Sequence, residues 1–189
     1  MTTTASRLRT PFGHSRSSRL TLVGIVGFAA AVAAASQIAI PLPWTPVPIT
    51  LQPLLVILAG MWLGPVAGAA SMTLYLAAGA VGLPVFTPIG APGIARFLGP
   101  TGGYLIAYPA AAFVAGSLGV RAKTFGARWL AAMAGVAVIY AGGIAQLSLL
   151  NGSVARALQV GVAPFALLDV VKAFVAAGIS GSRRRSSSK

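Results

Sequence analysis

The only acidic residue of the 189 in this sequence, Asp169, lies three positions before Lys172 in an otherwise apolar segment. Residues at positions i and i+3 of a helix share a face, where each charge offsets part of the other's desolvation. Charged groups at membrane depth are costly and usually face a protein interior or a wet cavity. The pair therefore indicates either a ligand site or an ion pair that only holds helices together.

Arg96 is the second candidate, and it lies in a Pro/Gly-rich stretch over residues 83–100. A loop of this length between helices is more often functional than a simple connector. The planar guanidinium of arginine suits a carboxylate better than the ammonium of lysine does. We interpret Arg96 either as a clamp for a ligand carboxylate or as an arginine that meets lipid headgroups.

Three uncharged residues could add hydrogen bonds to such a site. Thr50 and Gln52 follow a run of prolines, and Tyr140 lies within an apolar segment. Thr50 could equally cap the helix that follows it. Tyr140 could equally contact a neighbouring helix.

Composition narrows the chemistry that these residues can perform. Hydrophobic residues make up 57% of the chain and charged residues 8%, which are too few polar groups to cover a soluble globule. There is no cysteine, and the one histidine, His14, lies near the N-terminus. Neither a P-loop nor a HExxH motif occurs. We therefore predict a membrane protein that is not an enzyme, with no catalytic residue, metal site or cofactor.

Six apolar windows predict the elements that position these residues. Each is read as a helix crossing a hydrocarbon core about 30 Å thick. The prediction is an all-α integral membrane protein, a compact bundle of six transmembrane helices over residues 19–181. Residues 1–18 are predicted to be a disordered basic tail, and 182–189 a second basic tail. The windows are approximately 20–40, a short one ending at 63, 66–82, 101–119, 129–150 and 164–179.

The proline run over residues 41–53 interrupts this pattern. Proline removes a backbone donor and disfavours the helical region for the residue before it, so we predict an extended segment. Such a backbone survives at membrane depth only where protein or water satisfies it. The segment should therefore line a cavity or lie at the membrane interface.

Basic residues predict the orientation. Eleven of them fall in the two tails and in the loop after the fourth window, whereas the opposite side holds only Arg96 and Arg156. Lys and Arg collect on the cytoplasmic side, so both termini are predicted to be cytoplasmic. This distribution favours topology and membrane lipid over nucleic acid as the reason for the net charge of +13.

The first window contains the run AAAVAAA, which favours close approach of another helix. That helix could belong to the same bundle or to another protein. The residues predicted to form this surface are Ala29, Ala31, Ala33 and Ala35.

Three stretches together resemble a known family: PVPITLQPLLVILAGMWLGPVAGAASMTLYLAAGAVGLPVF, GPTGGYL and PFALLDVVKA. The sequence is similar, over about residues 20–179, to the biotin-specific substrate-binding components of energy-coupling factor transporters, the BioY family. The resemblance implies a six-helix protein of the bacterial cytoplasmic membrane that captures biotin with high affinity for uptake. It also implies a transmembrane coupling protein and two cytoplasmic ATPases as partners, with the alanine-spaced surface of the first helix as the docking site.

The resemblance also implies roles for the candidate residues. Asp169 would accept from the ureido N–H groups of biotin, while Arg96 and Lys172 would neutralise its carboxylate. Thr50 and Gln52 would add polar contacts, and Phe86 and Tyr140 would form walls. The family commonly has Pro-Gly immediately before the aspartate, where this chain has Leu167 and Leu168, so we expect a more regular helix start.

Two other interpretations stay open. The same architecture could capture a different vitamin, or the chain could be a membrane scaffold in which Asp169 and Lys172 only join helices. The scaffold predicts no saturable ligand binding. A membrane enzyme is disfavoured because catalytic histidine, cysteine and acidic pairs are missing.

Overall fold

A computed structural model describes residues 15–186 of the chain, and the side chains of residues 18–181. The described chain is mostly helical, as predicted. Its elements in chain order are α1 (Ser15–Gln37), β1 (Ile40–Leu42), β2 (Thr45–Ile49), α2 (Gln52–Leu63), α3 (Pro65–Ala80), a 3-10 helix (Gly93–Leu98), α4 (Gly102–Arg121), α5 (Phe125–Asn151), α6 (Val154–Gly161) and α7 (Ala166–Ser186).

The two predicted tails lie partly outside the described residues. Residues 1–14 and 187–189 fall outside them, whereas 15–18 and 182–186 continue α1 and α7. Both terminal helices therefore extend beyond their apolar windows into the basic sequence.

Helix length and composition identify the membrane spans. Within the described residues, three stretches are long and apolar enough to cross a membrane: Ser18–Gln37, Gly102–Arg121 and Phe125–Asn151. The pair α6 and α7 passes the same test together, with a bend of 59°, which gives up to four spans. The helices α2 and α3 have 12 and 16 residues, fewer than a full span usually needs. A multi-pass helical protein is confirmed, and the count of six spans stays a prediction.

The proline run forms an antiparallel hairpin of β1 and β2, in which Ile40 pairs with Ile49 and Leu42 with Thr45. The predicted extended backbone is confirmed. Pairing between the two strands satisfies part of the backbone that the prolines keep out of a helix. The end of the hairpin leads directly into α2, where Pro53 occupies the first turn.

The short helix α6 was not predicted. Gly152, in a left-handed conformation with φ of 67°, ends α5, and the Ser153 hydroxyl accepts a hydrogen bond from the backbone N–H of Arg156. These are ordinary stop and cap signals. The apolar pattern does not reveal α6, because its 8 residues are too few for a membrane-spanning window.

Side chains from two distant elements donate hydrogen bonds to the backbone carbonyl groups at the end of α6. The Thr45 hydroxyl donates to the carbonyl oxygen of Val160 at 2.6 Å. The Tyr104 hydroxyl donates to the carbonyl oxygen of Gly161 at 2.7 Å. The last carbonyl groups of a helix have no partner within it, so these bonds join the hairpin and α4 to the break before α7.

Glycines bring the central helices into backbone contact. A Cβ placed on Gly60 of α2 would lie 2.0 Å from the carbonyl oxygen of Ala112 in α4. A Cβ on Gly68 of α3 would lie 2.6 Å from the Cα of Gly60, and one on Gly116 of α4 would lie 2.7 Å from its carbonyl oxygen. Three helices therefore meet at Gly60 with no side chain between them.

Candidate functional site

A cavity lies where the hairpin, the loop after α3 and the first turns of α2, α4 and α7 come together. It contains about 620 Å³ of space free of protein atoms, open solvent at its mouth included, which is within the usual range for small-molecule sites. Its lining residues are Val47, Pro48, Thr50, Gln52, Pro53, Tyr75, Phe86, Thr87, Thr101, Tyr104, Leu105, Tyr108, Ile139, Tyr140, Phe165, Asp169 and Lys172.

Asp169 and Lys172 form an ion pair on the cavity wall. The Lys172 Nζ donates to Asp169 Oδ1 at 2.7 Å, and the Tyr140 hydroxyl donates to Asp169 Oδ2 at 2.6 Å. Asp169 is 4% exposed. Each carboxylate oxygen thus has one donor from the protein and lone pairs left for a ligand. The arrangement holds a buried acceptor beside a donor, both facing the cavity.

The helix that carries this pair starts regularly. The structure begins α7 at Ala166, and the backbone N–H of Asp169 bonds to the carbonyl oxygen of Phe165 at 2.9 Å, as in an ordinary helical turn. Leu167 and Leu168 both lie in this first turn. The helix start is therefore regular in this chain, and the expected difference from relatives with Pro-Gly stays a prediction.

A second polar group lines the cavity at the start of α2. The Gln52 amide nitrogen donates to the Tyr75 hydroxyl at 2.7 Å, and the Thr50 hydroxyl donates to the Gln52 amide oxygen at 3.2 Å. Thr50 also accepts from the backbone N–H of Gln52 at 3.4 Å. Thr50 therefore lines the cavity and supports the helix start at the same time.

Aromatic rings form the apolar part of the wall. Phe86 meets Tyr75 edge to face, with ring centroids 5.5 Å apart, and Tyr75 stacks on Tyr108 at 6.4 Å. Tyr104 and Phe165 also line the cavity. Rings with hydroxyl groups combine apolar area with a polar edge, which suits a ligand that has both.

Sequence reasoning missed the tyrosines of α4. Thr101, Tyr104 and Tyr108 lie three and four positions apart, so they share one helix face. That spacing was readable in GPTGGYLIAY. Such a stripe is also typical of a helix core, and only the packing of α4 against the cavity separates the two cases.

Arg96 is not among the cavity-lining residues. Its guanidinium lies 6.0 Å from the Phe86 ring and donates to the Thr87 hydroxyl at 3.2 Å, the Thr87 carbonyl oxygen at 2.5 Å and the Ile89 carbonyl oxygen. Burial lowers the pKa of Arg96, a residue that is 5% exposed. In this structure the guanidinium is therefore hydrogen-bonded to its own loop, at Thr87 and Ile89, and does not line the cavity.

The seven predicted ligand residues thus divide into two groups. Arg96 lies behind the wall, in contact with Phe86. The other six come together on the cavity: Thr50, Gln52, Phe86, Tyr140, Asp169 and Lys172. Among the described residues no cluster of three or more His, Cys, Asp or Glu is found that could hold a metal ion.

The four predicted docking alanines do not share one face of α1. Ala29 and Ala35 are buried in this chain's own core, while Ala31 and Ala33 are partly exposed. Residues two apart lie about 200° apart around an α-helix, so alternate positions cannot form one surface. The outward face instead has Gly27, Ala30 and Ala34, all exposed, at its centre.

Charge distinguishes the two ends of the bundle. The cavity end holds the start of α4 and α7, while α4 ends at Arg121. At that far end the Arg128 Nε donates to the carbonyl oxygen of Ala177 at 3.0 Å, and the Ser180 hydroxyl approaches the Met61 sulfur at 3.7 Å. The start of α5 and the ends of α2, α4 and α7 therefore share the basic end. The start of α1 lies there too, because Gly24 packs against Leu63 at the end of α2.

Known proteins resemble this chain over most of its length. The sequence profile of the BioY family matches residues 6–189. A protein of Pyrococcus horikoshii named a probable biotin transporter BioY is 42% identical over 151 residues, which are 79% of this chain and 86% of that protein. The biotin transporter BioY of Thermotoga maritima is 37% identical over 153 residues, which are 81% of this chain and 89% of that one.

A solved structure gives the same result at the level of the fold. The crystal structure of the S-component for biotin from an ECF-type ABC transporter superposes with a TM-score of 0.82 at 29% identity, covering 94% of this chain and 95% of the other. Sequence and fold agree over nearly the whole chain. The chain belongs to the BioY family.

Proposed function

We propose that this chain captures biotin and mediates its uptake as the substrate-binding component of an energy-coupling factor transporter. The observation that carries the proposal is the cavity, where the only acidic side chain of the sequence and a lysine lie beside an aromatic wall. The family supports the proposal, since the relatives from Pyrococcus horikoshii and Thermotoga maritima are named as biotin transporters. The role is transport rather than catalysis.

The ion pair suggests how the ligand is held. A urea edge presents an N–H donor next to a carbonyl acceptor, and the cavity presents Asp169 Oδ1 2.7 Å from Lys172 Nζ. The ureido ring of biotin can therefore donate to Asp169 and accept from Lys172 together. An extended biotin cannot also place its carboxylate on the same pair. We assign the pair to the ureido ring, and the apolar rings to the remainder of the vitamin.

The carboxylate of biotin then lies elsewhere on the wall. Thr50 and Gln52 are the polar groups on the α2 side of the cavity. Clamping of the carboxylate by Arg96 stays a prediction, and it requires the guanidinium to exchange the Thr87 and Ile89 carbonyl groups for the ligand.

Direct binding tests the function. Detergent-purified protein should bind labelled biotin saturably, and unlabelled biotin should displace it. A vitamin without a ureido ring, such as thiamine, is the competitor control and should leave the label bound. Absence of saturable biotin binding by folded protein would favour the scaffold interpretation and overturn the proposal.

We further propose that the basic end faces the cytoplasm and the cavity opens outside, in a bundle of six spans. Basic side chains collect on the cytoplasmic side, and the far end carries Arg121, Lys123 and Arg128. This orientation lets the cavity receive a vitamin from outside. It also leaves the cytoplasmic end available to partners that hydrolyse ATP. This chain has no P-loop motif with which to bind ATP itself.

Single cysteines can test the orientation because the native chain has none. A membrane-impermeant maleimide should label Ala91→Cys, in the loop at the cavity end, in intact cells. It should label Lys123→Cys only after permeabilisation. Both positions are exposed, so the pair is matched for access. Labelling of Lys123→Cys in intact cells would contradict the proposed topology.

For docking on the transmembrane coupling protein, we propose the outward face of α1, with Gly27, Ala30 and Ala34 at its centre and Ala31 and Ala33 at its edges. Small side chains there allow a second helix to approach closely. Ala29 and Ala35 would contribute only by supporting this face from within, because they are buried.

A further inference from the structure

The end of α1 holds the loop that supplies one wall of the cavity. Ser36 is fully buried, and its hydroxyl lies 2.6 Å from the carbonyl oxygen of Val85. The next residue, Gln37, directs its amide nitrogen at the carbonyl oxygens of Pro84, at 3.3 Å, and Phe86, at 3.1 Å. Two adjacent side chains thus lie within hydrogen-bonding distance of three successive carbonyl groups.

These two side chains also bind each other. The Gln37 amide nitrogen donates to the Ser36 hydroxyl oxygen at 2.8 Å, and the Ser36 hydroxyl also reaches the Ala33 carbonyl oxygen at 2.7 Å. The pair is therefore oriented by its own helix before it meets the loop. A preorganised donor loses less entropy when it binds than a free side chain does.

The loop has few backbone bonds of its own. Pro84 and Pro88 have no N–H to donate. Leu83 and Val85 donate only locally, to the carbonyl oxygens of Ala78 and Leu83. Arg96 binds the Thr87 carbonyl on the far side of Phe86. The contacts from Ser36 and Gln37 thus anchor the backbone from Pro84 to Phe86 to α1.

The Phe86 ring is enclosed on its other sides. It packs against Tyr75 at 5.5 Å and Phe97 at 5.7 Å between ring centroids. Gly79 makes room for it, since a Cβ at that position would lie 2.1 Å from the ring. Phe86 is 6% exposed, so movement of its backbone must carry the ring with it and reshape the wall.

We infer that Ser36 and Gln37 are positioning residues for ligand affinity, acting by holding Phe86 in the cavity wall. The inference rests on the proposed capture of biotin and adds residues that do not line the cavity themselves. Release of this anchor leaves the aromatic wall free to move, so the bound vitamin escapes faster. Association depends less on the wall, and the dissociation rate carries most of the effect.

Ser36→Ala tests the inference, with Ser71→Ala as its matched control. Ser71 is also fully buried, and its hydroxyl donates to the Ile25 carbonyl oxygen of α1 at 2.8 Å, away from the cavity-lining residues. Ser36→Ala should weaken biotin binding about fivefold, the usual effect of one hydrogen bond, mainly through faster dissociation. Ser71→Ala should lower the melting temperature about as much as Ser36→Ala does, and it should leave the biotin dissociation rate unchanged.

Gln37→Met is the second variant, because Gln37 is exposed and the change removes its donors at similar size. It should also raise the biotin dissociation rate. If Ser36→Ala fails to fold, Gln37→Met alone tests whether the two residues position the cavity wall. Wild-type dissociation rates in folded variants at both positions, or equal weakening by Ser71→Ala, would overturn the positioning role. If the wild-type protein itself did not bind biotin, the proposed function would fail instead.

Discussion

An Asp169→Asn variant is expected to bind biotin at least about tenfold more weakly than the wild type, or about 1.4 kcal/mol. The amide turns one carboxylate oxygen into a donor. The Tyr140 hydroxyl and the Lys172 ammonium, which bond to the two oxygens at 2.6 and 2.7 Å, then compete for one acceptor. Lys172 is also left as a partly buried cation with no counter-charge, and the proposed acceptor for the ureido N–H groups is lost.

Two measurements on one preparation separate ligand binding from structure. A pair that only joined helices would lower the melting temperature and spare the biotin affinity of the protein that stays folded. Tyr140→Phe is the control, because it removes one hydrogen bond to Asp169 and keeps the charge. It should weaken binding less than Asp169→Asn does. Wild-type affinity in folded Asp169→Asn protein would end the assignment of Asp169 to the ligand.

A Gly60→Ala variant should lose about 3 kcal/mol of stability, at the upper end of the usual effect of overpacking. The added Cβ would lie 2.0 Å from the carbonyl oxygen of Ala112, a backbone atom that can move only with α4. Since Gly68 and Gly116 also contact Gly60, the displacement would spread to α3. The melting temperature in detergent and the yield of folded protein measure the effect.

Gly27→Ala is the matched control for this substitution. Gly27 lies within α1, and a Cβ there would meet nothing within 4 Å. Alanine favours a helix interior over glycine by up to about 1 kcal/mol, so the control should be neutral or stabilising. An unchanged melting temperature in Gly60→Ala would show that the helices can separate at this point.

Much of the site was readable because charge is rare in this chain. Asp169 and Lys172 had to share a face and avoid lipid, and the structure places both on the cavity. The prolines before α2 predicted an extended segment by the same kind of argument, since a backbone without donors cannot continue a helix. In each case a local rule determined the result.

What could not be read depends on packing between distant segments. A membrane helix carries apolar residues on every face, so the sequence of α1 does not show which face is buried in the protein. Ala29, which is buried, therefore could not be distinguished from Ala30, which is exposed. Arg96 turned toward Thr87 because its own loop offers acceptors, which spacing alone does not reveal. The pairing of Ser36 with Val85, 49 positions apart, is of the same kind.

The shortness of α2 bears on how far the vitamin travels when it binds. This helix runs from Gln52, on the cavity, to Leu63 near the basic end, and its 12 residues span about 18 Å. A hydrocarbon core is about 30 Å thick. With α2 along the membrane normal, Leu63 at the cytoplasmic edge of the core and the cavity facing outward, a ligand beside Gln52 would lie about 12 Å below the outer edge of the core. In the proposed orientation, capture alone would then complete more than a third of the crossing. The ATP-driven step of the proposed transporter would need to move the vitamin only through the remaining distance.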